Sequence, residues 1–268
     1  MSELSVKFFS EALKRNVRFE MYLPDAGNHE GNRKMKTLFL LHGYTGDADN
    51  WAGEELAQKY HFAVVAPNGE NGFWLDGPAT GHKFCTYVGV ELVNYLRRTF
   101  GLAMNADETY VMGFSMGGFG ALHTAFAFPE CFGKVAAMSS ALIIHEIAHM
   151  KPGESNGVAN YDYYHGCFGD LETVETSESN PEVLVKRLKD NGRQIPEIFM
   201  SCGTEDFLLE NNRAFHQYLE ETDIPHIYLE SKGEHNMDFW KEYSAKFAEM
   251  MFGEERKKVG MRSILRHG

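Results

Sequence analysis

Two short stretches hold residues whose types and spacing could do chemistry. In GFSMGG (113–118) a serine stands among glycines, after the apolar run ETYVMGF and before MGGFGALHTAFAF. A strand that ends in such a turn and passes at once into a helix lifts Ser115 above the sheet edge, at the positive end of the helix. Gly113, Gly117 and Gly118 suit places where backbone and helix must approach without a Cβ between them. In HEIAH (145–149) two histidines stand four residues apart around a glutamate. On a long helix that spacing puts both imidazoles on one face to bind zinc, with the glutamate as general base.

The serine needs partners, because its hydroxyl is a poor nucleophile until a base takes its proton. In strand-to-helix serine sites of this kind the chain order is serine, acid, histidine. Asp206 follows the apolar run in EIFMSCGTEDF, at the end of a strand where catalytic groups gather in open α/β sheets. Glu205 is its rival, and Asp206 is preferred. His235 follows HIYLESKGE and opens the final helix. Asp206 would fix the tautomer of His235, which would act as base and then as acid. A tetrahedral oxyanion also needs backbone donors. The amide after the serine, on Met116, is one candidate. The Tyr44 amide, in LFLLHGYTGDADNW, is the other, with His42 ordering the loop.

The zinc reading lacks such support. IIHEIAHM runs into Pro152 and Gly153, so a helix there stops early. The longer three-histidine form needs glycine at 152 and histidine at 155, where Pro152 and Ser155 stand. Glu172 is the one distant candidate for a third ligand. The expectation is an amphipathic helix with Ile143, Ile144 and Ile147 inward and no metal site.

These residues need a scaffold. SVKFFS and RNVRFEMYLP read as two antiparallel strands of interleaved polarity. Residues 36–43, 61–68, 108–115, 134–141, 197–203 and 226–231 are denser in apolar residues, as strands of a covered parallel sheet are. Helical patterns cover 52–59, 84–100, 117–127, 208–221 and 237–252. The alternation predicts a single α/β domain over 1–268, a doubly wound, mostly parallel sheet with antiparallel N-terminal strands. Residues 142–196 break the rhythm and read as a cap inserted after the strand at 134–141. The cap's Tyr161, Tyr163, Tyr164 and Phe168 either face substrate or form its own small core. Residues 254–268 turn basic and read as a solvated tail rather than a subunit contact.

Composition narrows the partners. A net charge of −12 over 268 residues repels phosphate backbones, which argues against nucleic acid. No apolar run reaches the roughly 18 residues of a membrane span, and the first 20 residues lack the pattern of a signal peptide. Cys85, Cys131, Cys167 and Cys202 have neither metal nor disulfide spacing, which fits reduced thiols in the cytoplasm. No cofactor is implied.

The stretches LHGYTGDADNW, FAVVAPNGENGFW, GFSMGGFGALHTAFAFPECFG, CGTEDFLLENNRAF and GEHNMDFW occur in that order across residues 3–252. Together they resemble the esterase D type of α/β-hydrolase, and most of all its tributyrin esterase and cinnamoyl (feruloyl) esterase members. The resemblance implies a serine carboxylesterase acting through an acyl-enzyme on small acyl or aryl esters, with acetyl or feruloyl groups of plant-derived oligosaccharides as candidates. It places nucleophile, acid and base on Ser115, Asp206 and His235, and the oxyanion amides on Tyr44 and Met116. Such members often carry Asp-Trp after the histidine, where this chain has Asn236-Met237, and an aromatic-Tyr pair where it has Phe73-Trp74. Trp74, Met237, Tyr161 and Tyr164 are therefore expected at the substrate. The family also includes S-formylglutathione hydrolases, so a thioester hydrolase is the first alternative. A zinc peptidase and a non-catalytic binding module are remote ones. A homo-oligomer is compatible with the sequence.

Overall fold

The computed structural model describes residues 1–25, 35–48 and 53–264, with side chains as far as Phe252. Eight strands form one sheet: β1 (Ser2–Ser10), β2 (Arg15–Leu23), β3 (Thr37–Leu41), β4 (Ala63–Pro67), β5 (Thr109–Phe114), β6 (Lys134–Met138), β7 (Glu197–Gly203) and β8 (His226–Ser231). Their spatial order is β1-β2-β4-β3-β5-β6-β7-β8. The first two pairings, β1 with β2 and β2 with β4, are antiparallel, and the rest are parallel. This is the α/β-hydrolase arrangement that the sequence predicts. Strand order reverses between β3 and β5, so the loops that leave their C-terminal ends run to opposite sides of the sheet, the usual place for a site in such folds.

Among the described residues the α-helices are α1 (Gly53–Tyr60), α2 (Phe84–Thr86), α3 (Val93–Phe100), α4 (Met116–Ala127), α5 (Ile144–Ile147), α6 (Tyr161–Phe168), α7 (Pro181–Asp190), α8 (Leu209–Glu221) and α9 (Met237–Ile264). A π-helical stretch, Tyr87–Leu92, joins α2 to α3. The central strands are buried throughout, and alternate residues serve the two faces. Phe39, Leu41 and Val111 pack under α3, α4, α7 and α8, while Leu38, Leu40, Tyr110, Met112 and Phe114 pack under α1 and α9. A strand that must be apolar on both sides loses the polar alternation seen in β1, which lies at the sheet edge.

No sheet strand lies between 142 and 196. That interval holds α5, α6, a 3-10 turn at Val174–Thr176 and α7. Asparagines begin both longer helices: Asn160 accepts from the Tyr163 amide, and Asn180 accepts from the Glu182 amide ahead of Pro181 in the first turn. Residues 254–264 of the basic tail continue α9. Residues 265–268 and the side chains beyond Phe252 lie outside the described residues, as do Asn50 and Trp51 of the Tyr44 segment.

Candidate active site

Ser115 stands between β5 and α4 with φ 55° and ψ −124°, a left-handed conformation that a side chain adopts only under constraint. The constraint comes from both sides. The Ser115 amide donates to the Met138 carbonyl (2.9 Å), and its carbonyl accepts from the Phe119 amide (3.1 Å) and the Ala141 amide (3.0 Å). Gly117 lies directly against the Leu41 carbonyl, where a Cβ would collide with backbone. The sharp turn therefore depends on glycine where α4 passes the end of β3.

His235 comes from the loop between β8 and α9, and Asp206 from the loop after β7. The structure brings both to Ser115. His235 Nε2 lies 3.0 Å from Ser115 Oγ, and His235 Nδ1 lies 2.9 and 3.0 Å from the two Asp206 carboxylate oxygens. With Nδ1–H donated to Asp206, Nε2 is free to accept the serine proton. Asp206 is buried, and burial alone would raise its pKa. Hydrogen bonds from His235, the Leu208 amide and the Ser139 hydroxyl more than offset that and hold the carboxyl below its ordinary value. Glu205 is half exposed and lies 3.8 Å from Lys232.

The Met116 amide opens α4, where helical N–H groups have no carbonyl partner within the helix. Tyr44 follows Gly43, and a Cβ on Gly43 would stand 3.4 Å from that of Ser115, so the turn that carries Tyr44 passes beside the serine. His42 is buried beneath this loop. Its Nδ1 donates to the Gly43 carbonyl (2.8 Å) and its Nε2 accepts from the Gly69 amide (2.9 Å). Burial lowers its pKa, so the neutral ring does the bracing. Asn71 ties the loop to the 142–196 segment: its side chain accepts from the Thr45 amide (2.8 Å) and its carbonyl from the Tyr163 hydroxyl (2.8 Å). The Tyr163 ring meets Tyr44 edge-on at 5.6 Å.

The four residues expected at the substrate divide. Trp74 has no exposed surface, and its indole N–H donates to the His42 carbonyl (3.2 Å). Positive φ angles at Phe73 and Trp74 turn the indole inward against Gly120 of α4, so it supports the Tyr44 loop from below instead of lining a pocket. Tyr164 is also buried, with its hydroxyl on the Asn156 side chain, and packs with Phe168 in the core shared with Phe73 and with Phe119 of α4. Tyr161 is half-buried against His165, and Met237 is half-buried in the first turn of α9.

The H-E-x-x-H stretch is not one helix. α5 ends at Ile147, Ala148 is extended (ψ 136°), and His149 takes φ 62°. Ile143, Ile144 and Ile147 point into the core as expected. His145 lies between Glu175 (2.7 Å) and Glu182 (3.2 Å), and His149 lies 3.0 Å from Glu172, all at the surface. Among the described residues no group of three or more His, Cys, Asp or Glu side chains is placed to hold a metal ion.

A family model described as "Putative esterase" matches residues 10–252. The chain belongs to this esterase family. It is 37% identical to an acetyl esterase of Caldicellulosiruptor saccharolyticus over 94% of this chain and 98% of that one. Among solved structures, a Staphylococcus aureus fluorophosphonate-binding serine hydrolase, FphF, superposes with a TM-score of 0.82 at 24% identity, covering 94% of this chain and 98% of that one. An S-formylglutathione hydrolase (FrmB) from Staphylococcus aureus does so with 0.80, at the same identity and coverage. The protein is a carboxylic ester hydrolase with the α/β-hydrolase fold.

Three residues of this esterase's site escape sequence reasoning. Ser139, buried at φ 45° just past β6, places its hydroxyl at Asp206 and accepts from the Trp240 indole N–H (3.0 Å). Trp240 meets the His235 ring edge-on at 4.8 Å and stacks on Phe114 at 4.2 Å. Asn212, fully buried in α8, accepts from the Ser140 amide and donates to the carbonyls of Ser140 and Leu208, so the turn after β6 is tied to the start of α8. A pair of serines closing an otherwise apolar strand, MSSA, is the one sequence signal that could have pointed to this support.

Proposed function

We propose that the chain hydrolyses short-chain acyl esters, acetyl esters foremost, through an acyl-enzyme on Ser115. The continuous relay from Ser115 Oγ to His235 to Asp206 carries this reading. His235 takes the serine proton as Oγ attacks the ester carbonyl. The developing oxyanion lies between the Met116 and Tyr44 amides. The imidazolium, stabilised by Asp206, gives its proton to the leaving alcohol, and water then repeats the sequence on the acyl-enzyme. The acetyl preference rests on the activity named for the relative from Caldicellulosiruptor. Residues 142–196 form one wall of the site in this reading, through Tyr163 on the Tyr44 loop. The four cysteines are free and buried, which suits the reducing cytoplasm. No helix among the described residues is long and apolar enough to cross a membrane.

A nitrophenyl ester series of rising chain length, run beside S-formylglutathione, tests the reading. Acetyl to butyryl esters should give the highest kcat/KM. A maximum at octanoyl or longer would remove the short-chain assignment. A far higher kcat/KM on S-formylglutathione would move the enzyme to the thioester class, a reaction named for one of its structural neighbours.

A further inference from the structure

Phe207 is the most exposed of the large apolar side chains described, at 71%, and it directly follows Asp206. Its neighbours are fixed. Asp206 and Leu208 are buried, the Asp206 amide donates to the Gly203 carbonyl (3.1 Å), the Leu208 amide donates to the Asp206 carboxylate (2.9 Å), and the Leu209 amide donates to the Asp206 carbonyl (3.1 Å). The turn that positions the acid thus holds an aromatic ring out in solvent. That ring rests on the His235 imidazole, 4.5 Å between centroids and tilted by 48°. Trp240 closes the other flank of the imidazole from within the core. Phe207 therefore marks the open flank of the histidine.

Taking Ser115 and His235 as nucleophile and base, the leaving oxygen must come within hydrogen-bond reach of His235 Nε2 to be protonated. The alcohol attached to it extends along the open flank. We propose that Phe207 is the binding platform for that alcohol, and that the preferred alcohol carries a ring whose flat, apolar face lies on the phenyl group. A pyranose C–H face and an aryl ring share that chemistry.

The test holds the acyl group constant and varies the alcohol. Ethyl acetate, cyclohexyl acetate, an acetylated methyl glucopyranoside and phenyl acetate are compared by kcat/KM in wild type, Phe207→Ala and Phe207→Trp, with a thermal melt to show that each variant is folded. Leaving-group reactivity cancels in the variant-to-wild-type ratio. Phe207→Ala should lower kcat/KM on ring-bearing acetates by about tenfold relative to ethyl acetate, the size of one aromatic contact. The loss should appear in KM, and Phe207→Trp should restore it. Selective loss on the glucoside and the cyclohexyl ester supports a sugar alcohol; selective loss on phenyl acetate supports an aryl one. An equal change on all four esters overturns the platform while leaving the esterase reading intact. A wild type that hydrolyses none of the four acetates would instead remove the esterase reading.

Discussion

Two histidine-bearing motifs in this chain invite a catalytic reading, and they sit in opposite surroundings. His235 lies between a buried carboxylate and a strained serine, with Trp240 against one side of its ring. His145 and His149 lie at the surface among Glu172, Glu175 and Glu182, on a helix that ends before the second histidine. The first set spans 120 residues of sequence yet meets within hydrogen-bond distance. The second is compact in sequence, and its histidines meet only surface carboxylates, sharing Glu175. Spacing along the chain indicates chemistry only where the backbone holds the residues in the geometry that the spacing assumes.

The sharpest way to break this comparison is to remove the relay. Ser115→Ala and His235→Ala should each lower ester turnover by roughly 10⁴- to 10⁶-fold, and the double variant by no more than the worse single one, because members of a triad act as a unit. A fluorophosphonate should label wild type once and leave Ser115→Ala unlabelled. Labelling that persists in the serine variant would place the nucleophile elsewhere.

A smaller effect is expected one layer out. Ser139→Ala removes a hydrogen bond to the Asp206 carboxylate and strands the Trp240 indole N–H. A hydrogen bond to a charged group contributes on the order of 1.5–3 kcal/mol, so kcat should fall about tenfold or more with KM little moved. Ser139→Thr, which keeps the hydroxyl, should recover most of the loss. If threonine fails to rescue, the effect comes from packing at the strained φ and not from the hydroxyl.

The smallest effect belongs to the surface pair. Replacing both His145 and His149 with alanine should change ester turnover by less than about twofold, as surface substitutions away from a site do, and a chelator should have no effect. The stability readout has a sign. Burial pulls the His145 pKa down, but the hydrogen bonds it donates to Glu175 and Glu182 outweigh it and leave the pKa raised. A raised folded-state pKa stabilises below the unfolded value, near 6.5, and that contribution fades as pH climbs through the folded value. The melting temperature of the variant should therefore trail wild type more at pH 5.5 than at pH 8. The gap is small because the groups are exposed. Turnover that fell with bound zinc in the double variant would reverse the comparison.

The core strands were legible because burial on both faces forces runs such as TLFLL and TYVMGF, and few other environments produce them. The serine turn and its two partners were legible because each stands at a strand end in a fixed chain order. Trp74 was not. A large aromatic near a site motif reads as a wall, and only the paired positive φ angles at Phe73 and Trp74 reveal that it turns inward. Tyr164 went the same way: alternate tyrosines in α6 face different layers, and helical spacing does not say which layer is solvent. Ser139 and Asn212 were hidden because their partners lie 60 to 100 positions away in the sequence.

The 142–196 segment leaves the sheet after β6 and returns into β7, and those two strands are hydrogen-bonded neighbours. Its α7 packs on α4 and serves as the crossover helix that any parallel pair requires. The residues ahead of Asn180 have no such duty. Chain inserted there begins and ends beside one ladder, and doubling its length costs only about 0.6 kcal/mol in closure entropy. A change of length there leaves the β6–β7 ladder in register, provided that Tyr164, Phe168 and Val174 keep their places in the core shared with α4.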